Sequence, residues 1–189
     1  MNQSGNRHNY SLINLEEDHL VIWEIVSYIN KYLYETDEYD RLDIDLISSI
    51  IEFFDTFVVN LHFRKEEEVL FPELRKTETA ISLDKLLTEL ELEHMDIKAL
   101  IVELIFVKKS YDSGNNGATI EMVELLKKIT QAYVQHITKE DEELISQLSN
   151  YFSPSRLVNI DYQLLLFNQT SIRHIYKDLI AERYQNQYN

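Results

Sequence analysis

His62-Phe63-Arg64-Lys65-Glu66 returns 74 residues later as His136-Ile137-Thr138-Lys139-Glu140. A second pair keeps nearly the same spacing. His19, in Glu16-Glu17-Asp18-His19-Leu20, lies 75 residues before His94, in Glu91-Leu92-Glu93-His94-Met95. Each half of the chain therefore reads as a segment with one histidine, followed by a segment with His-x3-Glu. A duplicated order of potential ligands is harder to reach by accident than any single motif.

The flanking residues place all four motifs on helices. Leu12, Leu15, His19, Ile22 and Val26 share one stripe of a first helix, about Leu12 to Glu35. Ile51, Val58, His62 and Val69 line a second, about Asp43 to Arg75, which Pro72 bends or ends. Ser82 is the expected N-cap of a third, carrying Leu83, Leu87, Leu90, His94, Ile97 and Ile101 at helical spacing. Ser113-Gly114-Asn115-Asn116-Gly117 is a loop by composition. A fourth helix is expected from near Thr119 to just before Ser153-Pro154. Residues 1–11 form a polar arm, and Thr36–Leu42 and Thr77–Ala80 are connections. Beyond residue 155, Leu157, Ile160, Leu164, Phe167, Ile175 and Leu179 support one or two more helices. The expected fold is all-α. An antiparallel up-down four-helix bundle covers 12–152, and a C-terminal helical extension covers 153–189.

Composition agrees and excludes other classes. Only 3 glycines and 2 prolines occur in 189 residues, which favours long helices, and 44% hydrophobic residues suffice for one core. With no cysteine, disulfides, thiolate-bound zinc and cysteine-held iron–sulfur clusters are ruled out. A net charge of -15 argues against nucleic acid and anionic membrane as partners, because phosphate binding needs a basic face. No apolar run reaches the roughly 18 residues of a membrane span. The polar N-terminus lacks an apolar signal region, so a cytoplasmic location is expected. A homo-oligomer is compatible with all of this.

A helix turns about 400° and rises about 6 Å over four residues. The histidine and glutamate of His-x3-Glu thus point the same way, one turn apart. With one histidine from each of the other helices, the set is His19, His62, Glu66, His94, His136 and Glu140. Four imidazoles and two carboxylates suit a pair of metal ions bridged by the carboxylates. Imidazole and carboxylate without thiolate suit iron, manganese or zinc. One histidine on an apolar stripe is ordinarily a core residue with a satisfied partner. Four of them, two paired with glutamate, are better explained by metal.

The stretch HFRKEEEVLFPEL (His62–Leu74) resembles the hemerythrin-like, or HHE cation-binding, family, as does the ordered ligand series over residues 12–150. The resemblance implies a four-helix bundle with a non-haem di-iron centre, hence two iron ions held by the six residues named above. It also implies dioxygen binding, iron or oxygen sensing, or nitrosative-stress and iron–sulfur repair. The chain departs from the oxygen carriers, which have a His-x3-His pair on the third helix. Leu90 and Lys98 stand at those offsets from His94. The carriers also use His-x4-Asp on the fourth helix, where both Glu140 and Asp141 are available. Glu140 is preferred because it repeats Glu66. Iron–sulfur repair members often have a cysteine-containing segment that this chain lacks.

The functional expectation is a di-iron protein that binds, senses or reacts with dioxygen or nitric oxide. Its rivals are a ferroxidase or peroxide-reactive enzyme and a metal-dependent signalling module. A ferritin-like set would instead use Glu16 and Glu91 through Glu-x-x-His, leaving His62 and His136 idle. Asp55, seven residues before His62, is a candidate acceptor for a ligand imidazole, with a hydrated or capped carboxylate as the preferred reading. Tyr133, three residues before His136, reads as a core-edge tyrosine with lining of the pocket as the alternative, and 64–68 as a solvated face apart from Glu66. Phe53, Phe54, Phe57 and Phe71 read as core, His8 as disordered, and His174 as a surface or tail-packing residue.

Overall fold

The computed structural model describes residues 12–35, 42–77 and 81–166. The expectations for residues 1–11, for most of the two short connections, for His8 and His174, and for the chain beyond 166 lie outside these residues. Among the described residues, five helical elements follow one another. Helix α1 is Ile13–Glu35. Helix α2 spans 44–75, with α-helical pieces Ile44–Phe53, Phe63–Lys65 and Phe71–Arg75 separated by wider π-helical turns at Phe54–His62 and Glu66–Leu70. Helix α3 is Ile81–Asp112. Helix α4 spans 118–151, opening with Ala118–Lys139 and passing through a π-helical turn at Glu140–Leu144. Helix α5 is Pro154–Leu166.

Local chemistry sets the ends. The Asp43 side chain accepts a hydrogen bond from the Leu46 amide at 2.9 Å and starts α2. The Asp43 amide donates to the Tyr32 hydroxyl at 2.7 Å, which pins the corner to α1. After α3, Gly114 takes φ 100°, the left-handed conformation that closes many helix C-termini. Ser82 is not the N-cap of α3, because the helix already includes Ile81. Pro72 does not end α2 either. It occupies the first turn of Phe71–Arg75, just after a widened turn, where a missing amide hydrogen costs little.

With such short connections, successive long helices must reverse direction. Helix α3 packs along α4, and α1 packs along α4 and α5. The apolar core divides in two at the level of the four histidines. On one side lie Ile22, Phe63, Ile97 and Ile137 with the Phe53, Phe54 and Phe57 cluster. On the other lie Leu15, Val69, Phe71, Leu90 and Leu144. Each such side chain contributes about 1.5–3 kcal/mol on burial. Helix α5 closes the second core with Leu157, Ile160 and Leu164. It is tied to α1, where the Asn14 amide and side chain donate to Asp161 at 3.1 Å, and to α2 through Arg156 and Glu73.

The cap at Asp43 is a direct test of the local reading. Asp43→Ala should lower stability by about 1 kcal/mol, seen as an earlier denaturation midpoint with unchanged slope. An unmoved midpoint would mean that the side-chain cap contributes nothing at this corner.

Candidate metal centre

The six residues expected from the repeat converge between the two cores. His62, His94, Glu66 and Glu140 are fully buried, and His136 and His19 nearly so. His62 Nε2 lies 3.3 Å from Glu66 Oε1, and His94 Nε2 lies 3.1 Å from Glu66 Oε2. His19 Nε2 lies 3.4 Å from Glu140 Oε2, and His136 Nε2 lies 3.6 Å from the same oxygen. Two ligand-like groups result: His19, His62, Glu66 and Glu140, and Glu66, His94 and His136. Glu66 belongs to both.

A carboxylate outside the cluster faces the other nitrogen of every imidazole. Asp141 is 2.8 Å from His19 Nδ1, Glu67 is 2.8 Å from His94 Nδ1, and Glu93 is 3.0 Å from His136 Nδ1. Asp18 stands 3.7 Å from His62 Nδ1, which is charge attraction beyond hydrogen-bond length. Carboxylates in these places hold a proton on Nδ1 and turn the Nε2 lone pairs inward. The cluster then contains acceptors and no donors. His94 Nε2 and His136 Nε2 face each other at 3.1 Å, and with neutral imidazoles both oxygens of Glu66 and of Glu140 are, among the described residues, buried without a hydrogen-bond partner. Lone pairs opposed in this way need a proton or a metal ion between them, and the donor set fits metal.

Lysines complete the arrangement. Lys65 is fully buried and donates to Asp18 at 2.6 Å, Lys98 donates to Glu67 at 2.7 Å, and Lys139 pairs with Glu93. Counting neutral imidazoles, six carboxylates against these three lysines leave three negative charges in the layer. Two divalent ions would nearly cancel them.

Proton affinities report the same field. Burial opposes the charge on His94, but hydrogen bonds to Glu66 and Glu67 outweigh it and push its pKa up to about 9. Burial also opposes charge on His19, yet Asp141, Glu140 and Glu66 raise its pKa well above the usual imidazole range. Burial would raise the Glu66 pKa, but positive charge on His62 and hydrogen bonds from His19 and His94 hold it well below the usual range. The hydrogen bond to His136, then Lys139, lowers Glu93 to about 2 against the effect of its burial.

The geometry decides several open points. Glu140 is in the inner cluster, while Asp141 is outside it on His19. Glu91 is held on the surface by Arg75 at 2.7 Å, Glu16 is half-buried outside the cluster, and His62 and His136 are not idle. This arrangement speaks against the ferritin-like set. Helix α3 contributes His94 alone, since Leu90 is apolar core and Lys98 is turned to Glu67.

Two expectations fail, and one candidate role is refused. Asp55 is exposed, in keeping with the preferred reading of a hydrated carboxylate, and Asp18 is the acid beside His62. The π-helical turns at Phe54–His62 rotate less per residue than α-helix, so counting back seven positions from His62 misses the face. The run 64–68 is not a solvated face beyond Glu66: Lys65 is buried and Glu67 binds His94. Arg64 and Glu68 do pair on the surface. Tyr133 is not at the core edge but fully buried, between Phe54, Phe63 and His136, with an unpartnered hydroxyl. Phe63, not singled out beforehand, stacks on His94 at 3.7 Å between ring centres.

The outer carboxylates were legible in principle. Asp18 and Glu93 precede His19 and His94, Lys65 and Lys139 precede Glu66 and Glu140, and Glu67 and Asp141 follow them. These neighbours repeat at the same spacing as the inner residues.

Two outcomes follow. Asp18→Asn and Glu93→Gln should each weaken metal affinity by about 10–100-fold, read by competition with a chromophoric chelator. In chelator-stripped protein, the stabilising charge on His94 is fully present below its ordinary pKa of 6.5 and disappears as pH rises through about 9. The unfolding temperature of that form should fall across this window, and a flat profile would contradict the placement of His94.

The hemerythrin HHE cation binding domain matches residues 12–148. No curated protein matches the chain at a significant level. The match covers the whole histidine and glutamate layer together with the helices that build it, and the chain belongs to the hemerythrin HHE cation-binding domain family.

Proposed function

We propose that the centre holds two iron ions and that the protein binds, senses or reacts with a small diatomic ligand, dioxygen or nitric oxide. The observation that carries this reading is the Glu66 carboxylate, shared by two histidine groups. Nitrogen and oxygen donors without sulfur suit iron as they suit manganese or zinc, and the resemblance to di-iron members of the family supports iron among them. When bound, iron supplies one-electron redox chemistry and coordination positions for a small ligand.

In this reading His19, His62, Glu66 and Glu140 would hold one ion, and Glu66, His94 and His136 would hold the other. The outer carboxylates orient the imidazoles and raise their basicity. Phe54, Phe57, Phe63 and Phe71, all fully buried, exclude water from the centre. The Tyr133 hydroxyl offers an uncommitted donor beside it. Its pKa is raised well above normal by burial and by the charges of Glu66, Glu140 and Asp18, so it stays protonated. A third helix that offers only His94 favours sensing or reaction over simple oxygen carriage.

The same proposal places the chain in the cytoplasm, with neither nucleic acid nor membrane among its partners. The charge of -15 supports the first exclusion. Among the described residues no helix is long and apolar enough to cross a membrane.

Anaerobic ferrous loading followed by elemental analysis should give two irons per chain. His62→Ala and His136→Ala should each lower that content, and Glu16→Ala and Glu91→Ala should leave it unchanged. The visible spectrum of the loaded protein should change on exposure to air or to nitric oxide. Full iron content with a spectrum indifferent to both gases would overturn the diatomic-ligand reading while leaving the metal site intact.

A further inference from the structure

Helix α3 is apolar on two opposite faces. Its inner face carries Leu83, Leu87, Leu90, His94, Ile97, Ile101 and Leu104, all buried. Its outer face carries Leu92, Met95, Ala99, Val102 and Phe106, spaced three, four, three and four residues apart. Two residues along a helix rotate the direction by about 200°, so this second row points away from the bundle. Leu92 is 55% exposed, Met95 63%, Val102 50% and Phe106 65%, and Ala99 is exposed as well. Single exposed apolar residues are ordinary on a protein surface. A row of five at alternating three- and four-residue spacing is the seam by which one helix receives another. It runs for about 21 Å along the axis.

The charges beside the row select the occupant. Asp96 and Glu103 follow Met95 and Val102 along one edge, both exposed and without an ion-pair partner among the described residues. Glu89 extends that edge, half-exposed and in reach of Lys85 and Lys139. On the other edge, Glu91 is engaged by Arg75, and Lys98 is committed to Glu67 at 2.7 Å. A second copy docked antiparallel would set Asp96 against its Glu103. Docked parallel, it would set Asp96 against its Glu91. Either self-pairing brings acid to acid.

We propose that the outer face of α3, from Leu92 to Phe106, docks an amphipathic helix of another protein whose apolar stripe is bordered by lysine or arginine. The face is turned away from the metal cluster but shares its helix with His94, so the docked helix is one helix diameter from the centre.

The probe is a synthetic heptad peptide with leucine at the seam and lysine along both edges, whose like charges keep it from pairing with itself. Its counterpart carries glutamate at the edges. Calorimetric titration of the full chain at low salt should show binding of the lysine peptide and not of the glutamate peptide. Met95→Gln combined with Phe106→Gln leaves the charge unchanged and should weaken binding by at least about tenfold, roughly 1.4 kcal/mol. Asp96→Lys combined with Glu103→Lys should move the preference to the glutamate peptide. All four positions are exposed, so helicity and metal content should equal those of the parent and serve as the control for folding. Failure of the lysine peptide to bind would overturn the proposal. So would equal binding to parent and both variants, which would reveal attraction to the overall negative charge alone. A parent chain that sediments as a dimer, dissolved by the Met95 and Phe106 substitutions, would overturn it in favour of a second copy.

Discussion

The rest of the structure depends on a layer of inward-facing lone pairs held inside an apolar bundle. Four imidazole nitrogens and two carboxylates meet there, nearly all without exposure to solvent. A layer of that kind is unfavourable by itself, because buried acceptors without donors lose hydration and repel one another. The fold makes it tolerable from outside, by placing a carboxylate behind each imidazole and lysines behind three of those carboxylates. The alternation of charge, from lysine to carboxylate to imidazole, ends on a cluster that could hold a cation. Removing the cation would leave protons to take its place, which explains the raised affinity of His19 and His94 for protons.

The two apolar cores act as walls for this layer. Phe63 lies flat on His94 at 3.7 Å between ring centres, and Phe71 is nearly parallel to the same ring at 5.9 Å. Flat aromatic contacts restrict the imidazole to few rotamers and keep water away. The π-helical turns fall at His62, at Glu66 and at Glu140. Wider turns loosen the regular phase of a helix and commonly accompany functional positions. Here they coincide with the positions where ligand-bearing side chains must reach the same axis from α2 and α4.

The duplication is close but not complete. Lys98 supports Glu67 beside His94, whereas the residue 75 positions earlier, beside His19, is Trp23. Lys65 and Asp18 are fully buried, while their counterparts Lys139 and Glu93 are about 30% exposed. Tyr133 has Val59 as its counterpart. The two halves of the centre therefore differ in charge compensation and in available hydrogen-bond donors, although their inner residues match.

The helices, the inner cluster and the family could all be read from the sequence, because periodicity and spacing are local properties. Apolar residues every three or four positions define a helix face whatever surrounds it, and His-x3-Glu joins two side chains on that face through backbone geometry alone. Tertiary structure decided what depends on contacts between helices. Glu140 and Asp141 are adjacent, and only the position of His19 on another helix sends one inward and the other outward. Asp18, not Asp55, faces His62, since the π-helical turns break the count on which the candidate acceptor role of Asp55 rested. Lys65 is buried because α1 brings Asp18 to meet it, a pairing across 47 residues that no local pattern encodes.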